Sequence, residues 1–467
     1  MTTISLYDKI KTQDIMGWRL MIKRSIKNFI WIFQNAIKDI EALKEFYYRT
    51  RKSITGYRLE IDEKYAYGKA IADLFDSVLE KESFDERNIK IDEIYNVVVF
   101  DDVKLKDICD ISKFEKNTKT LSYIMNAKYK QDRYSPNVAS QKYINLRKNE
   151  HILVGSILSN IITIFETALS NIYMTLIREN PLRYLENQTI SLAAVFRDFK
   201  QALDDKLDLE VESKIYKSLE FLNILETKEK IKIDRYEKIT AMFTEIYYRR
   251  NSYVHTDGRA NKRYLENVDK KFTKDVSDGD LLVCDDTYIE NAILALTKIL
   301  FSIIFELLTI READSDLIGI ISNYFFSRLK DKEYELASCG YYALSQYKKL
   351  DFKDRTMYRI NYINAKKQLG YKSVVARELN GLDVSIATDD FKIAKECLLN
   401  NHENVFKLLQ STYPNSYRAI EIKEWPIFID FRLTSYYEEF VKLHQKDFEL
   451  EEMEFDDDLI VDEDFDE

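Results

Sequence analysis

The chemistry in this chain is concentrated in six residues, RNSYVH at 250–255. Arg250 offers a guanidinium that can take two phosphate oxygens at once. Asn251 offers an amide that can orient a neighbour, and His255 an imidazole that titrates near neutral pH. At about 100° per residue, Asn251 and His255 form an i, i+4 pair about 40° apart on one flank of a helix. Arg250 projects only about 20° from Ile239, inside the apolar stripe set by Ile239, Met242, Phe243, Ile246 and Tyr247. A guanidinium on such a face loses solvation unless an anion meets it. His255 falls in the last turn, where free carbonyls favour a cation. A phosphate-binding cation, a polar orienter and an acid/base therefore converge at one helix end.

The other three histidines lack such company. His151 opens an apolar helix, and His402 and His444 lie on polar arcs of terminal helices, so surface or structural roles are expected for them. Cys109, Cys284, Cys339 and Cys397 are far apart with no CxxC pairing. Neither a disulfide framework nor a metal site is expected, no cofactor is implied, and a reducing cytoplasm fits.

The elements that must position the motif are helices. The 467 residues include only 10 Gly and 4 Pro, too few for the tight turns of sandwiches, barrels or doubly wound sheets. The motif helix is expected to start at Asp234, with Glu237 completing a capping box, and to stop at Gly258. Before it runs HILVGSILSNIITIFETALSNIYMTLIREN, ending at Pro181, with two helical stretches between 189 and 229. After it come a polar loop, an extended LLVCD (281–285) and an apolar helix following Thr287. Lys298 and Glu306 interrupt that helix, so it reads as a buried bundle helix and not as a membrane span. The first 20 residues carry Asp8, Lys9, Lys11 and Asp14, and no export signal is expected.

RNSYVH matches the R-N-x-x-x-H form of the motif of HEPN domains, and the surrounding layout resembles that family as well. HEPN domains are helical bundles found in many metal-independent ribonucleases of bacterial toxin, CRISPR-associated and anti-phage systems. The resemblance implies a four- or five-helix bundle over 148–312. It also implies an endoribonuclease that uses the ribose 2′-hydroxyl as nucleophile and leaves a 2′,3′-cyclic phosphate. Arg250 would bind the scissile phosphate, His255 would act as general acid/base and Asn251 would orient the site. Arg249 offers five intervening residues and Arg250 four, and both spacings fit the family's range. Glu166 resembles a polar residue that some members direct at the Arg, and equally fits a solvated flank. One positioned His per chain, with one proton to remove and one to deliver, implies a homodimer.

The charge pattern agrees with an RNA partner. Net charge is −10, but 13 acidic residues and no Lys or Arg lie between Asp447 and Glu467, leaving the body at +3. Residues 249–274 carry a net +5, with Arg259, Lys262, Arg263, Lys270, Lys271 and Lys274 as RNA-binding candidates after the motif. Tyr253 and Tyr264 are candidates for base stacking.

The expected architecture is therefore mostly all-α. It has an N-terminal helical region (1–145) with a β patch at 87–100, the bundle (148–312), paired α-solenoid-like helices (314–446) and an acidic disordered tail (447–467). A linker is expected at DRYSPNVASQ, around Pro136. The expected setting is anti-phage defence or a toxin system, with a regulatory protein or phage trigger as partner and no membrane. A non-catalytic helical scaffold binding RNA, nucleotide or protein is the alternative.

Overall fold

The structure, a computed structural model, describes residues 15–80, 97–115, 120–184, 201, 205–206, 208–211, 218–384 and 387–454. Helices dominate it, as the scarcity of Gly and Pro requires. Helix α1 (Ile15–Glu80) is followed by four short strands, β1 (Val98–Phe100), β2 (Val103–Lys104), β3 (Cys109–Glu115) and β4 (Thr120–Met125). Both strand pairs are antiparallel, with Phe100 opposite Val103 and Cys109 opposite Met125. Asp101 and Asp102 between β1 and β2 both have positive φ, which a two-residue hairpin turn of matching twist demands. Of the expected β patch, only 97–100 falls within the described residues. The β3–β4 hairpin has no counterpart in the sequence reading.

Pro136 does not mark a linker. It is the first residue of α2 (Pro136–Glu179), with Ser135 Oγ accepting from the Val138 amide at 3.4 Å. A proline lacks an N–H that the first turn would leave unpaired anyway, so this position suits it. Helices α1 and α2 lie antiparallel along their lengths. Tyr143 bonds Asp62 at 2.5 Å near one end, and Met21, Arg24 and Ser25 face Met174, Thr175 and Arg178 near the other. Phe29, Phe33 and Ile37 of α1 belong to the same buried core as Ile157, Ile161 and Phe165 of α2. The boundary expected near 145–148 is thus no boundary, because α1 is built into the bundle.

Four further elements complete the region around the motif: α3 (Ser218–Ile224), α4 (Thr240–His255), α5 (Lys262–Asn267) and α6 (Asp286–Ile310). Most of the two helical stretches expected between 189 and 229 lies outside the described residues. Helix α6 is capped by Asp285, which accepts from the Tyr288 amide at 2.7 Å. Helices α2 and α6 are both long and apolar enough to cross a membrane by length and composition. Helix α6 is nonetheless packed into the core over most of its length, and its two buried charges, Lys298 and Glu306, are matched. Lys298 bonds Glu237 at 2.9 Å, and Glu306 takes Arg235 at 2.5 Å and the Tyr236 hydroxyl at 3.0 Å.

The C-terminal helices are α7 (Ser315–Lys330), α8 (Tyr334–Ser345), α9 (Phe352–Gln368), α10 (Lys372–Asn380), α11 (Asp389–Leu398), α12 (His402–Thr412), α13 (Ala419–Glu424), α14 (Ser435–Leu443) and α15 (Gln445–Glu454). Successive helices pack together, α8 on α9 and α11 on α12. Trp425, just after α13, donates to Asn361 Oδ1 at 3.0 Å and anchors a buried turn at Pro426–Phe428. The chain does not lose its structure at Asp447. Phe448 is buried against Tyr437 and Phe440, and α15 continues to Glu454. Residues 455–467 lie outside the described residues.

Candidate functional site

Helix α4 carries the motif, and its start differs from expectation. Asp234 sits in a short 3-10 turn, and its Oδ1 accepts from the amides of Ile239 (2.9 Å) and Thr240 (3.0 Å) and from the Thr240 hydroxyl (2.8 Å). It caps the helix from six residues upstream of Thr240. Glu237 closes no capping box, because its carboxylate is engaged with Lys298. Phe243 and Ile246 form the buried face, with the Phe243 ring 4.8 Å from that of Phe165 on α2.

The end of α4 agrees with the sequence. Asp257 and Gly258 have positive φ, and the Gly258 amide donates to Ser252 O at 3.1 Å, closing the helix with a left-handed turn. Space at Gly258 is tight as well. A Cβ on it would come 3.0 Å from His151 Cε1 and 3.3 Å from the Tyr253 ring.

The two adjacent arginines diverge. Arg249 is largely covered: its Nε donates to Glu245 Oε1 at 2.6 Å, its Nη1 to Val283 O at 2.6 Å, and its guanidinium lies 4.3 Å from the centre of the Tyr288 ring. Burial works against its charge, yet Tyr288 and Glu245 hold its pKa above the usual arginine value. Glu245, fully buried, also accepts from the hydroxyls of Tyr264 (2.7 Å) and Tyr288 (2.6 Å). Burial first, and the Glu245 charge second, raise the pKa of both phenols. This cluster escaped the sequence reading. An acid one turn before an Arg is its only local signal, while Tyr264, Val283 and Tyr288 come from distant stretches.

Arg250 faces another way. Its Nη1 donates to Asn251 Oδ1 at 3.1 Å, and its Nε is shielded from solvent without a hydrogen-bond partner. His255 is exposed at the end of the same helix. Arg250 and Asn251 are thus joined directly, and Arg249 is committed to the interior.

Glu166 is half-buried on α2. Phe165 faces Phe243 and Gly155 faces Tyr253, so α2 and α4 run antiparallel and the level opposite Arg250 is near residue 158. Glu166 is eight residues from that level, roughly 12 Å along the helix at 1.5 Å per residue. The register therefore does not bring it beside Arg250.

Two tyrosines proposed for base stacking have structural positions instead. Tyr264 is buried on Glu245. Tyr253 donates to Leu282 O at 3.0 Å, and its ring is stacked on His151 with centroids 4.9 Å apart. His151, in turn, meets Asp257 at 3.0 Å. Its role is the structural one of the two expected, tying the end of the motif helix to α2.

The loop after the motif is folded. Asn261 caps α5 and Asp269 caps a turn at Lys270–Thr273, while Ala260, Tyr264, Val268 and Leu282 make a small core beneath them. Leu282 of the extended LLVCD donates to Gly258 O at 2.8 Å. On the outside, Arg259, Lys262, Arg263, Lys270, Lys271 and Lys274 are all exposed. Arg259 bonds Gly279 O at 2.9 Å, and Arg263 lies over the Tyr248 ring. Beside the motif, Ile152, Val254, Leu281 and Val283 each expose more than half of their surface. Among the described residues, no three His, Cys, Asp or Glu side chains converge to hold a metal ion.

The fold and site define a mostly α-helical protein with an Arg–Asn pair and an exposed His at one helix end. Compared with known protein families, curated proteins and solved structures, the chain matches none.

Proposed function

We propose that this protein is a metal-independent endoribonuclease of the HEPN type, working in the cytoplasm in anti-phage defence or a toxin system. The observation that carries this reading is Arg250. A guanidinium nitrogen shielded from water and lacking a partner leaves desolvation uncompensated until an anion arrives. Asn251 holds that guanidinium, and His255 stands at the same helix end.

In the proposed reaction the 2′-oxygen of a ribose attacks the adjacent phosphorus and the bond from phosphorus to the 5′-oxygen breaks, giving a 2′,3′-cyclic phosphate and a 5′-hydroxyl. One imidazole takes the 2′-hydroxyl proton and another protonates the leaving oxygen. Arg250 neutralises the charge that develops on the phosphoryl oxygens. Two copies of His255 supply both imidazoles in a homodimer. Ile152, Val254, Leu281 and Val283, exposed next to the motif, are apolar surface for such a contact. The exposed basic residues of 259–274 attract the RNA backbone.

The test is cleavage of total RNA by purified protein, wild type against His255→Ala, with and without EDTA. Cleavage that survives EDTA and disappears in His255→Ala supports the reading. Dependence on added metal, or cleavage unchanged in the variant, removes it.

A further inference from the structure

Between the lead-in to α4 and the C-terminal helices lies a cavity of about 360 Å³. Lys298, buried on α6, reaches into its wall and is held by Glu237 at 2.9 Å. The second carboxylate, Glu335, stands 3.7 Å from the Lys298 ammonium, beyond hydrogen-bond reach, and is half exposed. Across the cavity, Lys366 has ring faces for neighbours, 4.8 Å from the centre of Tyr371 and 5.9 Å from that of Tyr362. Among the described residues no carboxylate comes within 4.0 Å of it. Tyr342 and Tyr371 are partly exposed, with the Tyr342 ring 5.2 Å from that of Tyr362. Cys339 adds no nucleophile, since burial pushes its thiol up to about 12.

These groups are complementary to a definite kind of molecule. Partly exposed aromatic faces around a concavity gain by covering a flat ring. An ammonium without a counter-charge gains from an anion. A carboxylate with free lone pairs gains from N–H donors. We propose that this cavity binds a small ligand joining a flat, N–H-bearing ring to an anionic group, with the ring on Tyr342 and Tyr371 and the anion on Lys366. The site is separate from the motif, and the inference does not rest on the ribonuclease reading. Glu237 lines it three residues before α4 begins, so occupancy touches the segment that leads into the motif helix.

A mononucleotide and an aromatic carboxylate share this chemistry, and calorimetric titration of the full chain with GMP and with indole-3-acetate distinguishes them. Saturable binding of at least one is expected, weakened about tenfold or more in Lys366→Met and in Tyr342→Ala and retained in Lys366→Arg. Unchanged thermal melts establish that the variants fold. Arg250→Ala should bind as wild type does. The proposal is overturned if neither probe saturates by about 5 mM, if Lys366→Met binds as well as wild type, or if Arg250→Ala abolishes binding and so assigns it to the motif.

Discussion

Arg249 donates to Glu245 Oε1 at 2.6 Å, one turn back on the same helix, and this bond separates two arginines that the sequence presents as equivalent. The first is a tie holding α4 to Val283 and Tyr288, while the second bonds its neighbour Asn251 and keeps a shielded Nε without a partner. Arg249→Ala should destabilise the protein by about 3–5 kcal/mol, since it strands the buried Glu245 carboxylate. Arg250→Ala should leave the urea midpoint nearly unchanged while lowering RNA cleavage by about 10²–10³. Loss of stability in the second variant and not the first would reverse the assignment.

His255 is exposed, and truncating it creates no cavity. His255→Ala should therefore unfold within about 0.5 kcal/mol of wild type. Cleavage rates measured on the same preparation should fall to background, so that a lost activity cannot be traced to a lost fold.

Gly258 is pinned both by its φ of +72° and by the His151 ring 3.0 Å from where its Cβ would be. Gly258→Ala should cost about 1–2 kcal/mol from backbone conformation, plus a steric contribution. In a double-mutant cycle with His151→Ala, only the steric part should be recovered. Strict additivity would show that the His151 contact carries no energy.

Tyr288 keeps a raised pKa because it is buried and bonded to Glu245. In the unfolded chain it loses its proton near pH 10.0, and in the folded chain only above that. Its contribution is whole below pH 10.0 and is lost as pH rises from there toward the folded value. Tyr288→Phe should lower stability by about 1–2 kcal/mol at pH 8 and make the alkaline fall in chemical-denaturation midpoints shallower. An unaltered alkaline slope would contradict this.

Lys270, Lys271 and Lys274 are exposed on the folded loop beside the motif. If they contact phosphates, replacing all three by Ala should reduce the slope of log K against log salt by about 2, at roughly 0.7 per contact for single strands. Fluorescence anisotropy with a fluorescein-labelled single-stranded RNA across a salt series reads this directly. An unchanged slope would place the RNA elsewhere.

Much of the fold was legible because its causes are local. Scarce Gly and Pro dictate helices, the Gly258 stop closes α4, and the spacing of Phe243 and Ile246 defines its buried face. What misled was context. Ser135-Pro136 reads as a linker in isolation, but with α1 lying alongside it starts a helix. The acidic run after Asp447 reads as disordered, yet Phe448 packs against Tyr437 and Phe440 and the helix continues to Glu454. Asp234 caps the motif helix as its type suggests, from farther upstream than a capping box allows.

The sequence by itself determined the helical class and the presence of Arg250, Asn251 and His255 on one helix end, because periodicity and helix stops act within a few residues. Only the tertiary structure decided which arginine is tied into the interior, what His151 does, and whether Tyr264 faces solvent. Each of those depends on partners from distant parts of the chain: Val283, Asp257 and Glu245. Burial is a property of the assembled core, and it determines whether a side chain keeps its water, finds a partner, or waits for a ligand.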